Sequence, residues 1–309
     1  MPLHPEYDAM LKQLAATPGP AINEMPVSDA RAMYRMMRPA APDLAVAKVQ
    51  DKSIPGPAGA IPTRIYTPSG SGPFPIFVYF HGGGWVIGDL ETADAIAREF
   101  CQRVGCVVVS VDYRLAPEHR FPAAVHDSYA ATKWASENAE SFNGEPNKLA
   151  VGGESAGGNL AAVVSQLARD RNGPAIVYQL LAYPVTGADF TTPSYRANAE
   201  GYLLTRAGMQ WFWDTYLPNA SERSNPMATP LNAKNFAKLP SALIMTAEFD
   251  PLRDEGEAYA NRLKSAGVVV EYVRFDGLIH DFLAMSRQLS AVKPAMDKAV
   301  AGLRNVFGR

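Results

Sequence analysis

The stretch "VGGESAGGNLAAVV", Val151 to Val164, decides how this chain folds. An apolar run, "KLAVGG", reads as a buried strand, and "GGNLAAVVSQLARDR" reads as an amphipathic helix. Between them lies Gly153-Glu154-Ser155-Ala156-Gly157, a G-x-S-x-G pattern on a strand-to-helix turn. Glycines two residues before and two after Ser155 remove the Cβ atoms that would collide in so sharp a turn. The backbone at Ser155 is then expected to be strained, with the hydroxyl held above the sheet. The helix that follows aims its unpaired N-terminal amides at the same place, which favours negative charge near the serine.

The same change of period recurs on both sides of this turn. "TRIYTP", "PIFVYFHG", "CVVVSVDY", "IVYQLLAYP", "ALIMTAEFD" and "VVVEYVRF" read as further strands. "ETADAIAREFCQRV", "PAAVHDSYAATKWASENA", "LRDEGEAYANRLKSAG" and "AVKPAMDKAVAGLRNVF" read as helices. Near-continuous apolar strands alternating with helices predict an α/β fold with a mostly parallel sheet covered on both faces. Two segments break the alternation. Residues 1–45 are helical in pattern, Met-rich and punctuated by prolines, and residues 185–225 carry Gly, Thr and the aromatic cluster "MQWFWDTYLP". Both are expected to cover the carboxyl ends of the strands, where sheets of this kind bind ligands.

Composition narrows the partners. The 309 residues are 47% hydrophobic, enough for one large core, and 29 Lys plus Arg against 31 Asp plus Glu leave a net charge of −2. Neither nucleic acid nor membrane insertion is expected from that balance, and no run approaches the roughly 20 apolar residues of a membrane span. The N-terminus lacks a secretory pattern, so the reading is cytoplasmic. Cys101 and Cys106 are read as buried thiols. His119, His126 and Asp127 are too few and too scattered for a metal site, and none is expected.

A serine nucleophile needs a base. Of five histidines, His280 follows a strand and the turn "DGLI", which puts it on a loop at the carboxyl rim of the sheet. Asp250 ends the strand "ALIMTAEFD" and reaches the same rim. The chain order Ser155, Asp250, His280 is that of the α/β-hydrolase arrangement. "FHGGGW", Phe80 to Trp85, follows another strand and offers consecutive amides; Gly83 and Gly84, with Ala156, are the expected oxyanion-hole donors. A phosphate loop would continue with Lys and Ser or Thr, whereas here Trp85 follows.

Taken together, "HGGGW", "YRLAPEHRFPA", "GESAGGNLA", "DPLRDEG" and "HDF" resemble the bacterial hormone-sensitive-lipase family (family IV) of carboxylesterases, from about residue 40 to the C-terminus. The resemblance implies an α/β-hydrolase core (46–184 and 226–309) and a helical cap (1–45 and the insertion 185–225). It implies no cofactor, and a small-molecule ester of short to medium acyl chain as substrate. Catalytic Ser155, Asp250 and His280 carry over, as do Gly83, Gly84 and Ala156. Deacetylase, lactonase or amidase activity would use the same three residues, and a non-catalytic binding protein of the same fold is the alternative of a different kind. Two positions depart from the family's motifs: Glu154 stands where Asp is most common, and Asp281 where Gly is. Trp85, Tyr183, Leu204, Trp211 and Phe282 are candidates either to line acyl and alcohol pockets or to pack the core and cap. "YRLAPEHRFPA" is expected to brace the oxyanion loop. By analogy, the strand "VVVEYVRF" lies near a sheet edge and would pair across a homodimer.

Overall fold

The computed structural model describes residues 2–16 and 19–309. Its centre is an eight-stranded sheet. In chain order the elements are α1 (Pro5–Ala16), α2 (Val27–Met37), β1 (Lys48–Gly56), β2 (Gly59–Thr67), β3 (Phe74–Phe80), α3 (Leu90–Phe100), β4 (Val107–Val111) and α4 (Ala123–Glu137). There follow β5 (Gly144–Glu154), α5 (Ala156–Asp170), β6 (Ile176–Ala182), α6 (Pro193–Ala197), α7 (Arg206–Tyr216), β7 (Ser241–Phe249), α8 (Arg253–Ser265), β8 (Val270–Ile279) and α9 (Lys293–Phe307). The strand order is β1-β2-β4-β3-β5-β6-β7-β8. From β4 through β8 all neighbours are parallel, while β1 and β2 form an antiparallel hairpin added to the β4 side.

The central strands are apolar throughout because both faces are covered. On β3, Ile76, Val78 and Phe80 enter one core, while Phe77 and Tyr79 enter the other. β4 divides likewise, with Val107, Val109 and Val111 on one side and Val108 on the other. This is the two-residue period of a pleated strand, with both sets buried. Residues of α4, α5 and α8 close the first core, and residues of α3 and α9 close the second.

β1 is absent from the sequence reading, and its environment explains why. It is an edge strand whose residues are mostly exposed, with Ile54 as its buried side chain. It carries Asp51, Lys52 and Pro55, the composition that blunts an exposed edge and also hides the strand from a search for apolar alternation. β8 forms the opposite edge. Cys101 and Cys106 are buried and unbridged. Among the described residues no helix is long and apolar enough to cross a membrane, and no group of three or more His, Cys, Asp or Glu side chains is arranged to hold a metal ion. Asp127 instead receives Arg114 at 2.8 Å through both carboxylate oxygens.

Candidate active site

The serine turn is as tight as its glycines require. Ser155 sits at φ 54° and ψ −117°, between the end of β5 and the first residue of α5, outside the regions open to most L-residues. β5 pairs with β3 so that Gly153 lies beside Phe80. A Cβ on Gly157 would come within 1.9 Å of the Phe80 carbonyl oxygen, so no larger residue fits without moving β3. Hydrogen bonds fix the strained residue: Ser155 N–H donates to Ala182 O at 2.9 Å, and Ser155 O accepts from Asn159 N and Val185 N at 3.0 and 3.2 Å.

His280 and Asp250 arrive from the carboxyl ends of β8 and β7. Ser155 Oγ lies 3.1 Å from His280 Nε2, and His280 Nδ1 lies 2.7 Å from Asp250 Oδ2. Asp250 is fully buried, and its other oxygen accepts from Leu252 N at 2.8 Å. An ionised carboxylate accepts only, so the proton between it and the ring belongs on Nδ1, leaving Nε2 as an acceptor for the serine hydroxyl. Burial alone would lower the imidazole pKa, but the charge and hydrogen bond of Asp250, helped by Asp281 and Glu154, raise it above its ordinary value.

The glycine loop after β3 forms the adjoining wall. Gly83 and Gly84 have φ of 112° and 58°, and among the described residues their amides have no hydrogen-bond acceptor. A Cβ on Gly84 would stand 2.1 Å from the ring of Phe212. The loop is braced as the sequence suggested: Tyr113 O–H donates to His81 O at 2.8 Å, its ring stacks on His81 at 4.3 Å, and Ala116 N–H donates to Trp85 O at 2.9 Å. Ala156 is buried at the head of α5, whose first amides have no carbonyl one turn earlier to bond.

Ser155, His280, Gly83 and Gly84 open together into a cavity of about 240 Å³, walled by Ile22, Met33, Met37, Leu204, Met209 and Phe212. These walls come from both segments that break the strand–helix alternation. The floor is polar and fixed, while the walls are apolar and rich in methionine, which adapts to differently shaped apolar groups.

The chain resembles known proteins in sequence and in overall fold. The sequence pattern of the α/β-hydrolase fold covers residues 77–284. The chain is 46% identical to the carboxylic ester hydrolase LipN of Mycobacterium tuberculosis over 84% of its own length and 71% of LipN. It is 40% identical to the carboxylesterase NlhH of the same organism, over 98% of this chain and 97% of NlhH. This chain belongs to the hormone-sensitive-lipase family of α/β-hydrolase carboxylesterases. A thermostable esterase from Pseudomonas putida superposes on this esterase with a TM-score of 0.96 at 39% identity, covering 99% of this chain and 98% of the other. The hyperthermophilic esterase of Pyrobaculum calidifontis does so with a TM-score of 0.92 at 40% identity, covering 99% of each.

Of the five residues considered for the esterase's pockets, Leu204 lines the cavity and the other four pack elsewhere. Trp85 is fully buried and stacks on Tyr216 at 4.3 Å, in the core beneath α7. Trp211 sits edge-on to Phe212. A residue's neighbour on a helix is turned about 100° away, so with Met209 and Phe212 on the cavity side Trp211 faces elsewhere. Phe282 lies edge-on to Tyr183 at 4.7 Å, and Tyr183 lies edge-on to His280 at 4.8 Å, so these two rings back the imidazole. The sequence reading missed the methionines of the wall and Arg38, which contacts both Glu154 and Asp281. The run "YRMMR" announces a helix, and nothing local shows which of its faces meets a site built more than a hundred residues later.

Proposed function

We propose that Ser155, His280 and Asp250 act as nucleophile, general base and orienting acid in the hydrolysis of short- to medium-chain carboxylic esters. The observation that carries this reading is the unbroken hydrogen-bonded chain from Ser155 Oγ through both imidazole nitrogens to a buried carboxylate. Ser155 Oγ bonds to the ester carbonyl carbon while Nε2 of His280 takes its proton, and the carbonyl π pair moves onto oxygen. Amides of Gly83, Gly84 and Ala156 hold that oxyanion. The bond to the alkoxy oxygen then breaks with its electron pair, and His280 returns the proton to the leaving alcohol. Water repeats the sequence on the acyl-enzyme: its proton passes to His280, its oxygen bonds to the acyl carbon, and Ser155 leaves and recovers the proton.

The apolar cavity of about 240 Å³ favours acyl groups of a few carbons over long chains. In the same reading, residues 1–45 and 185–225 form the cap over a core of 46–184 and 226–309. Location in the cytosol fits two buried, unpaired thiols, and β8, free along one edge of the sheet, would pair across a homodimer; cell fractionation and sedimentation test these two points. Replacing Ser155→Ala should abolish turnover of a chromogenic acetate or butyrate ester while the circular dichroism spectrum stays that of the folded protein. Retained turnover would refute the assignment of the nucleophile.

A further inference from the structure

The two departures from the family's motifs meet on one side chain. Arg38, the residue that closes α2, is buried, and its guanidinium donates from Nη1 to Glu154 Oε1 and from Nη2 to Asp281 Oδ1. It lies over the ring of Tyr34, 4.8 Å from the centroid. Glu154 immediately precedes Ser155, and Asp281 immediately follows His280. Glu154 also accepts from Tyr183 O–H at 3.0 Å and from Gly82 N–H at 3.3 Å. Through these contacts a single cation from the N-terminal segment reaches the neighbour of the serine, the neighbour of the histidine, the glycine loop, and the ring that backs the imidazole.

Electrostatics make the cation necessary. Glu154 is buried and Asp281 partly so, and two carboxylates gathered on one guanidinium cannot both stay ionised without it, because burial and mutual repulsion each favour protonation. For Glu154 burial pushes the pKa up, yet the charge and hydrogen bonds of Arg38 bring it below the usual carboxylate value. Asp281 is raised to about 6, first by burial and then by Glu154, against the pull of Arg38. Asp281 also sits at φ 70°, a left-handed conformation that glycine adopts more easily. The other titratable groups around the guanidinium are Tyr34 on its own helix, Tyr79 on β3, His81 after β3, Tyr113 after β4 and Tyr183 after β6, with His280 after β8 and Tyr7 of α1 facing Asp281.

We propose that Arg38 is a positioning residue for ester hydrolysis, clamping the residues next to Ser155 and His280 in register and making the hydrogen bond between them depend on the seating of α2. The inference rests on the roles given above to Ser155 and His280. Cap and chemistry are thereby linked: when α2 is seated, the cavity is roofed and the two halves of the site are aligned by the same side chain.

The test is steady-state hydrolysis of a chromogenic butyrate ester across pH by Arg38→Met, Arg38→Lys and the triple variant Arg38→Met/Glu154→Gln/Asp281→Asn. Arg38→Met should lower kcat by about a hundred-fold, the scale of loss that small misplacement of reacting groups produces, with KM little changed. Its pH profile should gain a second ionisation as Glu154 and Asp281 come to share a proton. The triple variant, free of the uncompensated charge, should recover part of kcat and lose the extra ionisation, and Arg38→Lys should fall between Arg38→Met and the parent. A folded Arg38→Met with the parent's kcat and pH profile would overturn the proposal. So would an effect confined to KM, or a triple variant restored to the parent's kcat, because that variant keeps no clamp to position Ser155 and His280. If Arg38→Met does not fold, Asp281→Asn carries the test: loss of its charge should move the acid limb of kcat/KM to lower pH and reduce kcat, and an unmoved limb sinks the idea. Ser155→Ala, assayed alongside, separates the two levels. Turnover surviving in Ser155→Ala defeats the nucleophile assignment, whereas a dead Ser155→Ala beside an unaffected Arg38→Met defeats the positioning role alone.

Discussion

On the floor of the cavity, the residues assigned to the chemistry sit at or just past the carboxyl ends of parallel strands, most of them in backbone conformations fixed by their immediate neighbours. Ser155 is trapped at a positive φ between β5 and α5, Gly83 and Gly84 are locked against Ile87 and Phe212, and Asp250 is pinned by Leu252 N–H. The walls are built otherwise. They are side chains of Met33, Met37, Leu204 and Met209 on short helices and loops, tied to the floor by a few long contacts. One is Arg31, which reaches the carbonyls of Val86 and Ala116; another is Arg38. Precision is needed where bonds are made, because bond making tolerates small displacements badly, whereas an apolar group is accepted by any surface that excludes water from it.

The contrast can be broken from the floor upward. Asp250→Asn should reduce kcat by about four orders of magnitude, since an amide partner leaves the imidazole in the wrong tautomer; a loss under tenfold in steady-state assays would mean Asp250 does not orient His280. Gly84→Ala should cost about 10²- to 10³-fold in kcat, because the added methyl collides with Phe212 at a φ that alanine resists and displaces the amide donors. Unchanged kcat would remove Gly84 from the oxyanion hole.

The walls should answer more softly. Met209→Ala enlarges the cavity without touching the reacting groups. It is expected to shift the ratio of kcat/KM between hexanoate and acetate esters toward the longer chain by about tenfold, the worth of one or two methylenes in an apolar pocket. No change in that ratio would mean that the acyl group does not lie against Met209. The smallest effect is on the pH axis. The base must be neutral to take the serine proton, and Asp250 raises the His280 pKa. The acid limb of kcat/KM should therefore lie above the ordinary imidazole value of about 6.5. Activity is lost as pH falls through that raised pKa, and a limb well below 6.5 would contradict the charge arrangement.

Much of the floor was legible because its local rules are strict. Gly153 and Gly157 are required by the approach of β3 to β5, so the serine turn shows in five consecutive residues. Asp250 and His280 are recognisable by their places just past apolar strands. The walls follow no such rule. Trp85, Trp211 and Phe282 are large apolar residues near the rim and read equally well as pocket or core. What separated them from Leu204 was the rotation of α7 and the stacking of Trp85 on Tyr216, which depend on how distant segments pack. β1 escaped notice for a related reason: an exposed edge strand needs no apolar pattern of its own.

The α/β alternation, the serine turn and the order of the three residues that converge on the rim are all written in the local sequence. Each follows from local backbone sterics or from a two- or 3.6-residue burial period, which neighbouring residues suffice to express. Long-range packing, in contrast, joins Arg38 to Glu154 and Asp281, lines the cavity with methionines and sets Tyr183 behind the imidazole. Those contacts join residues far apart in the chain, and their energies depend on burial and distance, which exist only once the sheet, the loops and the N-terminal helices have come together.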